Sequence, residues 1–457
     1  MSGRRGIAAI AVCLGLGQPV GAMTLEQAVR VAVTSSPTIS KATAEARASA
    51  QDLGALEREY LPTVSLTAQG GAERVDDPVG LTPEDNDETK FARRIDLNAE
   101  LVLFDGYRRS NLVYQGAADL DGSLFRMLDA SETLALNATE AYIDVVRHRQ
   151  LVDAARRNVA RHKEIGAQVR AQVEGGRLPA SSALQVSDRI DAAELAELEV
   201  RQALRDANAR FERIVGQPPG TDMAIPRPTQ LPGTEDDLVQ AAMRNSFRLR
   251  AAQTAIDRAR FEKTIVESNR LPRVSLNAGA MYGEDLEGSR GEESDLYIGF
   301  RLNWELYAGG RSPESRALAE RVVQAQAERD EALREVRALA QRSWNTFQSA
   351  TERAILLERQ LRANRSLVRQ YTDEFEASTR SLLDVLEAER ALFRVQFQKI
   401  SSDASFAFSQ FRLLATQSVL AGYFGVKPTG IALEPGFQSQ ALQSPTAVFD
   451  TAIEPLQ

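Results

Sequence analysis

From Arg94 to Leu103 apolar and polar residues alternate without a break, with Ile95, Leu97, Ala99, Leu101 and Leu103 on one side and Arg94, Asp96, Asn98 and Glu100 on the other. A later stretch repeats the pattern, setting Leu296, Ile298, Phe300, Leu302, Trp304 and Leu306 against Tyr297, Gly299, Arg301, Asn303 and Glu305. Shorter alternating runs precede each, around Val64, Leu66 and Ala68 and around Val274, Leu276, Ala278 and Ala280. A period of two places side chains on opposite faces of a strand, so strands are predicted over about 62–70, 91–104, 272–282 and 296–306. Pro62 and Pro272 stand at the head of the leading strands, where a proline ends a helix and favours extended chain. About ten alternating residues is also the length a tilted strand needs to cross hydrocarbon. Tyr60, Phe104, Tyr107, Tyr282, Tyr297, Trp304 and Tyr307 stand near the strand ends, as in an interfacial belt. Alternation alone fits an ordinary soluble hairpin equally well. The loops Glu73 to Lys90 and Gly283 to Asp295 are rich in acids, which suits a face turned to water.

Elsewhere the period changes to that of helices. After Gly106 no proline interrupts the chain until Pro179, and about 70 helical residues would span roughly 100 Å. A seam in steps of four and three runs through Leu134, Ala138, Ala141, Val145, His148, Val152, Ala155, Val159, His162, Gly166, Val169 and Val173. It recurs 202 residues later, from Val336 and Ala340 through Leu361 and Val368 to Tyr371 and Phe375. Sustained heptads predict a left-handed coiled coil, and small seam residues let helices approach closely.

The chain is built twice. Leu25-Glu-Gln-Ala-Val returns as Leu238-Val-Gln-Ala-Ala, Leu61-Pro-Thr-Val-Ser-Leu66 as Leu271-Pro-Arg-Val-Ser-Leu276, and Leu103-Phe-Asp-Gly-Tyr-Arg108 as Leu306-Tyr-Ala-Gly-Gly-Arg311. The expected organisation is a first repeat over 23–215, a proline-rich linker over 216–237, a second repeat over 238–424 and a loosely ordered tail over 425–457. Residues 1–22 read as a signal peptide: Arg4 and Arg5, an apolar run from Gly6 to Leu16, then Val20-Gly21-Ala22 as small residues for cleavage. The apolar run is too short for a spanning helix. Cys13, the only cysteine, lies inside it, so the exported chain would hold together without disulfides.

Composition then narrows the function. The net charge of -8 and the lack of a basic patch exclude nucleic acid as a partner. Aromatics make up only 6 %, thin for an enzyme with one large core. There is no HExxH, Walker loop, GxSxG or Cys/His cluster, so neither an enzyme, a metal nor a cofactor is expected. His148 and His162 are 14 residues apart on one seam, about 21 Å along the axis, and read as packing residues.

Four strands cannot line a membrane alone, because open edges leave N–H and C=O groups unpaired in lipid. Two chains would give eight strands with a filled interior, whereas three give twelve and room for a passage. The residues therefore point to a mainly α chain with a small β part, four strands per chain, in a barrel shared between copies and joined to a long coiled-coil sheath. Ile95, Leu97, Leu101, Ile298, Phe300, Leu302 and Trp304 are its candidate lipid-facing residues. A periplasmic coiled-coil adaptor or scaffold remains an alternative. A secreted filament or adhesin is disfavoured by the lack of β-rich repeats.

The duplication, the Leu-Pro-x-Val-Ser-Leu strand entries, Phe104-Asp-Gly and Thr379-Arg-Ser-Leu-Leu-Asp-Val-Leu-Glu-Ala388 resemble the TolC-like outer-membrane efflux proteins over nearly the whole mature chain. The resemblance implies a homotrimer whose trimeric twelve-stranded outer-membrane β-barrel, four strands per chain, is continuous with a long α-helical coiled-coil barrel in the periplasm. It implies docking to an inner-membrane transporter through a periplasmic adaptor (membrane fusion) protein. The ending Phe411-Arg-Leu-Leu-Ala-Thr-Gln followed by Leu420-Ala-Gly looks more like type I secretion members than multidrug ones. A periplasmic gate is also implied, with Arg380 as a linking residue and Asp384 and Glu387 as pore-facing acids. Phe375 stands where a linking tyrosine would be expected, and Ser181 and Ser182 occupy a Thr-Asp position. Ser381 with Asp384 reads equally as a capping box opening a helix.

Overall fold

The computed structural model describes residues 23–77, 79–426, 436–443 and 456. The expected signal peptide at 1–22 lies outside them, as does most of the tail. The first half runs α1 (Leu25–Ser35), α2 (Pro37–Arg58), β1 (Thr63–Arg74), β2 (Thr89–Phe104), α3 (Arg108–Glu174) and α4 (Ala180–Val215). The second repeats the order with α5 (Glu235–Asn245), α6 (Phe247–Ser268), β3 (Arg273–Glu284), β4 (Glu292–Asn303), α7 (Arg311–Glu376) and α8 (Leu382–Thr416). Two short helices follow, α9 (Leu420–Tyr423) and α10 (Phe437–Gln443). With 67 residues in α3 and 66 in α7, each long helix spans about 100 Å. No helix among the described residues is long and apolar enough to cross a membrane.

Two compact units emerge, and each draws on both repeats. The first contains the described residues up to Ser36 together with Leu134–Leu231 and Asn345–Arg412. Its core is the predicted seam: Ala138, Ala141, Val145, Val152, Ala155, Val159, His162 and Val169 are all buried. The Nδ1 atoms of His148 and His162 donate to the carbonyls of Asp144 and Asn158, one turn back, at 2.8 and 2.9 Å. Both histidines are thus spent on the helix backbone. Thr24 opens α1 with a reciprocal box, its hydroxyl accepting from the Gln27 N–H while the Gln27 side chain accepts from the Thr24 N–H. The proline-rich segment after α4 is extended but fastened. Buried Tyr142 accepts the Ala224 N–H at 3.2 Å, and Arg149 donates to the Gly220 carbonyl at 2.7 Å.

The second unit contains Pro37–Thr133, Pro232–Trp344 and the described residues from Leu413 onward. Leu53, Leu120, Leu124, Met127, Leu238 and Ile256 are fully buried there. Of the tail expected over 425–457, the described part includes the short helix α10, which is fastened to α3. Phe437 is fully buried, and the two carboxylate oxygens of Asp121 on α3 accept the first N–H groups of α10, from Phe437 and Gln438, at 3.1 Å each. Three turns further along α3, Glu132 accepts the N–H groups of Leu420 and Ala421 at 2.9 and 3.2 Å, opening α9. Helix N-termini leave such donors without partners, so two buried acids are well matched to them.

β1 to β4 form one antiparallel sheet in chain order. β1 and β4 each pair on one side only. The strand expected to reach residue 306 ends at Asn303, which leaves Trp304 and Leu306 outside the ladder. The reason lies in the partner: Arg273 pairs with Asn303, and the residue before it, Pro272, has no N–H to continue the ladder. Trp304 turns instead to the Arg270 carbonyl, donating its indole N–H at 3.1 Å.

Candidate functional site

The sheet has two opposite faces. Pairing aligns Val64, Ala99, Ala278 and Ile298 in one row, Leu66, Leu97, Ala280 and Leu296 in the next, and Leu101, Leu276 and Phe300 in a third. This face is apolar across all four strands, yet it is the outer one: Leu296 is 83 % exposed, Ile298 74 % and Phe300 75 %. Ile95, Leu97, Leu302 and Trp304 are exposed as well, and Leu101 is half-buried. The opposite face aligns Thr67 with Asp96, Ser65 with Asn98 and Tyr297, and Glu100 with Asn277. On the central strands the polar residues are covered, with Ser275 only 3 % and Asn277 8 % exposed and Asp96, Asn98 and Glu100 half-buried, while Ser65 and Thr67 on the outer strand β1 and Tyr297 on β4 are exposed. A sheet that exposes its large apolar residues on all four strands while its central strands cover their polar ones is inverted relative to a water-soluble one, and lipid outside with water inside is the setting it fits.

Tyr297, expected in the interfacial belt, belongs instead to the polar face. Its hydroxyl donates to Asn98 at 3.2 Å and its ring covers Gly279, where an added Cβ would clash with the ring. The hairpin loops are joined by Lys90, buried among them, whose ammonium donates to Asp85 at 2.6 Å and to the Gly288 carbonyl.

At the other end of the helices are two hairpin turns. Gly176 closes α3 in the left-handed region at φ 70°, and Ser378, its equivalent 202 residues on, closes α7 at φ 64°. A residue with a Cβ costs about 1–2 kcal/mol in that region, while glycine loses about 0.5–1 kcal/mol more in folding. Ser378→Gly is therefore expected to stabilise the chain by about 0.5 kcal/mol in denaturant unfolding followed by helical signal. A loss of stability would show that the Ser378 side chain matters more than its backbone.

The predicted gate residues do not gather at one point. Arg380 is held within its own turn, donating to Glu374 at 2.8 Å and lying 4.2 Å from the Tyr371 ring centroid. Asp384 is 3.9 Å from Arg380 and sits in the cap of α8. Its N–H donates to the Ser381 hydroxyl at 3.2 Å, and that hydroxyl donates to its carboxylate at 2.8 Å. Glu387 faces α4, accepting from Arg189 at 2.9 Å. Phe375 lies in an apolar cluster. It is buried with Ile165, Val169, Val186, Leu382, Val385 and Leu386, where an aromatic ring is favoured, and the aromatic beside Arg380 is Tyr371, one turn earlier. In the first hairpin Ser181 is exposed and Ser182 is buried, its N–H donating to the Pro179 carbonyl at 3.0 Å.

Two contacts at this end carried no sequence signal. Arg161 of α3 donates to Glu389 of α8 at 2.7 Å and to Thr372 of α7 at 3.3 Å. With Arg189 and Glu387 it ties one helical hairpin to the other across about 200 residues of chain. The partners lie in different repeats, so no local spacing marks them.

A sheet with its apolar face exposed, in a chain with two helices each about 100 Å long, is the pattern of an outer-membrane exit duct for export. The chain belongs to the outer membrane efflux protein family, which it matches over residues 28–217 and 238–416. Among curated relatives, the outer membrane efflux protein BepC of Brucella suis is 23 % identical over 414 residues, covering 90 % of this chain and 89 % of BepC. The alkaline protease secretion protein AprF of Pseudomonas aeruginosa is 25 % identical over 73 % of this chain and 71 % of its own. Among solved structures, the outer membrane protein VceC of Vibrio cholerae superposes with a TM-score of 0.73 at 17 % identity, over 88 % of this chain and 96 % of VceC, which establishes the shared fold. Family membership sets aside the adaptor or scaffold reading that the residues alone left open.

Proposed function

We propose that three copies of this chain close one twelve-stranded barrel and one helical sheath, forming the passive duct of a tripartite export system. The observation that carries this reading is the sheet. Its apolar face runs unbroken from β1 to β4, and both outer strands offer an unpaired edge of 12 residues. In hydrocarbon each unmatched N–H and C=O costs several kcal/mol, so β4 of one copy pairs with β1 of the next until the ring closes. Ile95, Leu97, Leu101, Ile298, Phe300, Leu302 and Trp304 then meet lipid. Energy comes from an inner-membrane transporter, reached through a periplasmic adaptor.

The hairpin end is the gate, with Arg380 as an internal link and the acids Asp384 and Glu387 near the constriction. The AprF likeness, with the Phe411-Arg-Leu-Leu-Ala-Thr-Gln ending, favours type I protein secretion, whereas the BepC likeness supports efflux equally at the level of the family. The mass in detergent and the conductance in a planar bilayer test the duct together. A trimer that passes ions is expected, and a monomer that stays soluble without detergent overturns the reading. Three subunits would place rings of carboxylates at the constriction, favouring cations. Asp384→Asn with Glu387→Gln is accordingly expected to move the reversal potential in a salt gradient toward zero. An unmoved potential removes these acids from the pore.

A further inference from the structure

Away from the membrane face and the hairpin turns, α3, α7 and α8 enclose a groove of about 500 Å³. Arg157 and Arg161, four apart on α3, face Arg365 and Arg369, four apart on α7. Leu392 and Phe393 of α8 add apolar lining. Only Arg161 has carboxylate partners, Glu389 and Glu164. Arg369 donates to the Ser366 hydroxyl at 3.3 Å, and Arg157 and Arg365 have neither an ion pair nor a hydrogen bond among the described residues. Like charges four apart on a helix repel, and here two such pairs share one groove. Glu389 and Asp373, the carboxylates lining it, leave the four guanidiniums in excess.

We propose that this groove is a binding site for a small organic dianion with an apolar body, of the aromatic dicarboxylate kind. A guanidinium fork matches a carboxylate with two parallel N–H···O bonds; Arg365 and Arg369 on α7 provide for one carboxylate and Arg157 on α3 for the other, while Arg161 is held by Glu389, Glu164 and Thr372. Between them the Phe393 ring and Leu392 suit a flat apolar core. The volume lies in the range of small-molecule pockets, and the lining extends about two helical turns, too short to seat a partner helix.

Isothermal titration of the full chain in detergent with naphthalene dicarboxylate tests this, with its uncharged diamide as control. One saturable site per chain is expected for the dianion and none for the diamide. Arg365→Ala with Arg369→Ala, both exposed, should weaken binding about tenfold or more per guanidinium lost. The Lys/Lys pair, which keeps charge but not the fork, should fall between. Absent binding, equal binding of the diamide, or unchanged affinity in the Ala/Ala variant would each overturn the proposal.

Discussion

Phe300→Arg is expected to cost about 2–4 kcal/mol of barrel stability and to deplete the protein from the outer-membrane fraction. Phe300 is the ninth of the 12 residues of β4, paired with Leu276, and is 75 % exposed in a single chain. Were the sheet soluble, an arginine there would sit in water at almost no cost, since exposed surface substitutions fall within about 0.5 kcal/mol of neutral. The two settings differ in sign as well as size, because removing an exposed phenylalanine from a soluble sheet would if anything improve solubility. The control is Arg301→Phe, one residue on and on the opposite face, where an apolar ring replaces a polar side chain without touching lipid. Urea unfolding in bilayers and fractionation of both variants decide the matter. Full recovery of Phe300→Arg in the membrane would sink the assignment of this face to lipid.

The faces of the sheet were legible because a strand records burial two residues at a time. From Ile95 to Leu103 the pattern needs no knowledge of what lies beside it. The seam was legible for the same reason, since heptad spacing is a local consequence of helix geometry, and its members from Ala138 to Val169 are buried as spaced. The end of β4 was visible in principle. Pro272 stops the ladder at Asn303, but reading this requires the register between strands, which alternation alone does not supply. Tyr297 was misplaced in the belt although its parity put it on the polar face; proximity to a strand end is a weaker signal than period.

At the hairpin end the limits are of another kind. The helix-capping role of Asp384 is local and could be read from Ser381, three residues before it. Glu387 and Glu389 meet arginines 198 and 228 residues away, and no motif within one segment carries that information. Phe375 illustrates the same point. Its burial in the cluster around Val169 follows from its place on the seam.

The contacts of α9 and α10 were the least legible because their partners lie on α3. Phe437 and Leu420 open helices of only 7 and 4 residues, too short to persist alone, and each is met by a buried acid more than 280 residues earlier. That arrangement makes stability depend on pH. Burial pushes the Glu132 carboxyl from 4.5 up to about 8, with Asp129 adding to the rise and the N–H groups of Ala421 and Leu420 opposing it. Asp121 is pushed from 3.8 to about 6, again by burial and against its two N–H bonds. A raised carboxyl pKa means the folded chain holds a proton that the unfolded chain has released. Stability from Glu132 is therefore fully present below pH 4.5, falls as pH rises toward 8, and is flat above that. A shift of this size is worth on the order of 4–5 kcal/mol across the window. Scanning calorimetry of the wild type from pH 5 to 8 should show Tm falling steadily, by roughly 8 °C at about 2 °C per kcal/mol. Glu132→Gln keeps an acceptor for α9 without a titrating proton and should flatten that slope, leaving the smaller Asp121 contribution below about pH 6. An identical slope in the variant would mean that the buried acid stays ionised throughout and that its two N–H bonds outweigh its burial.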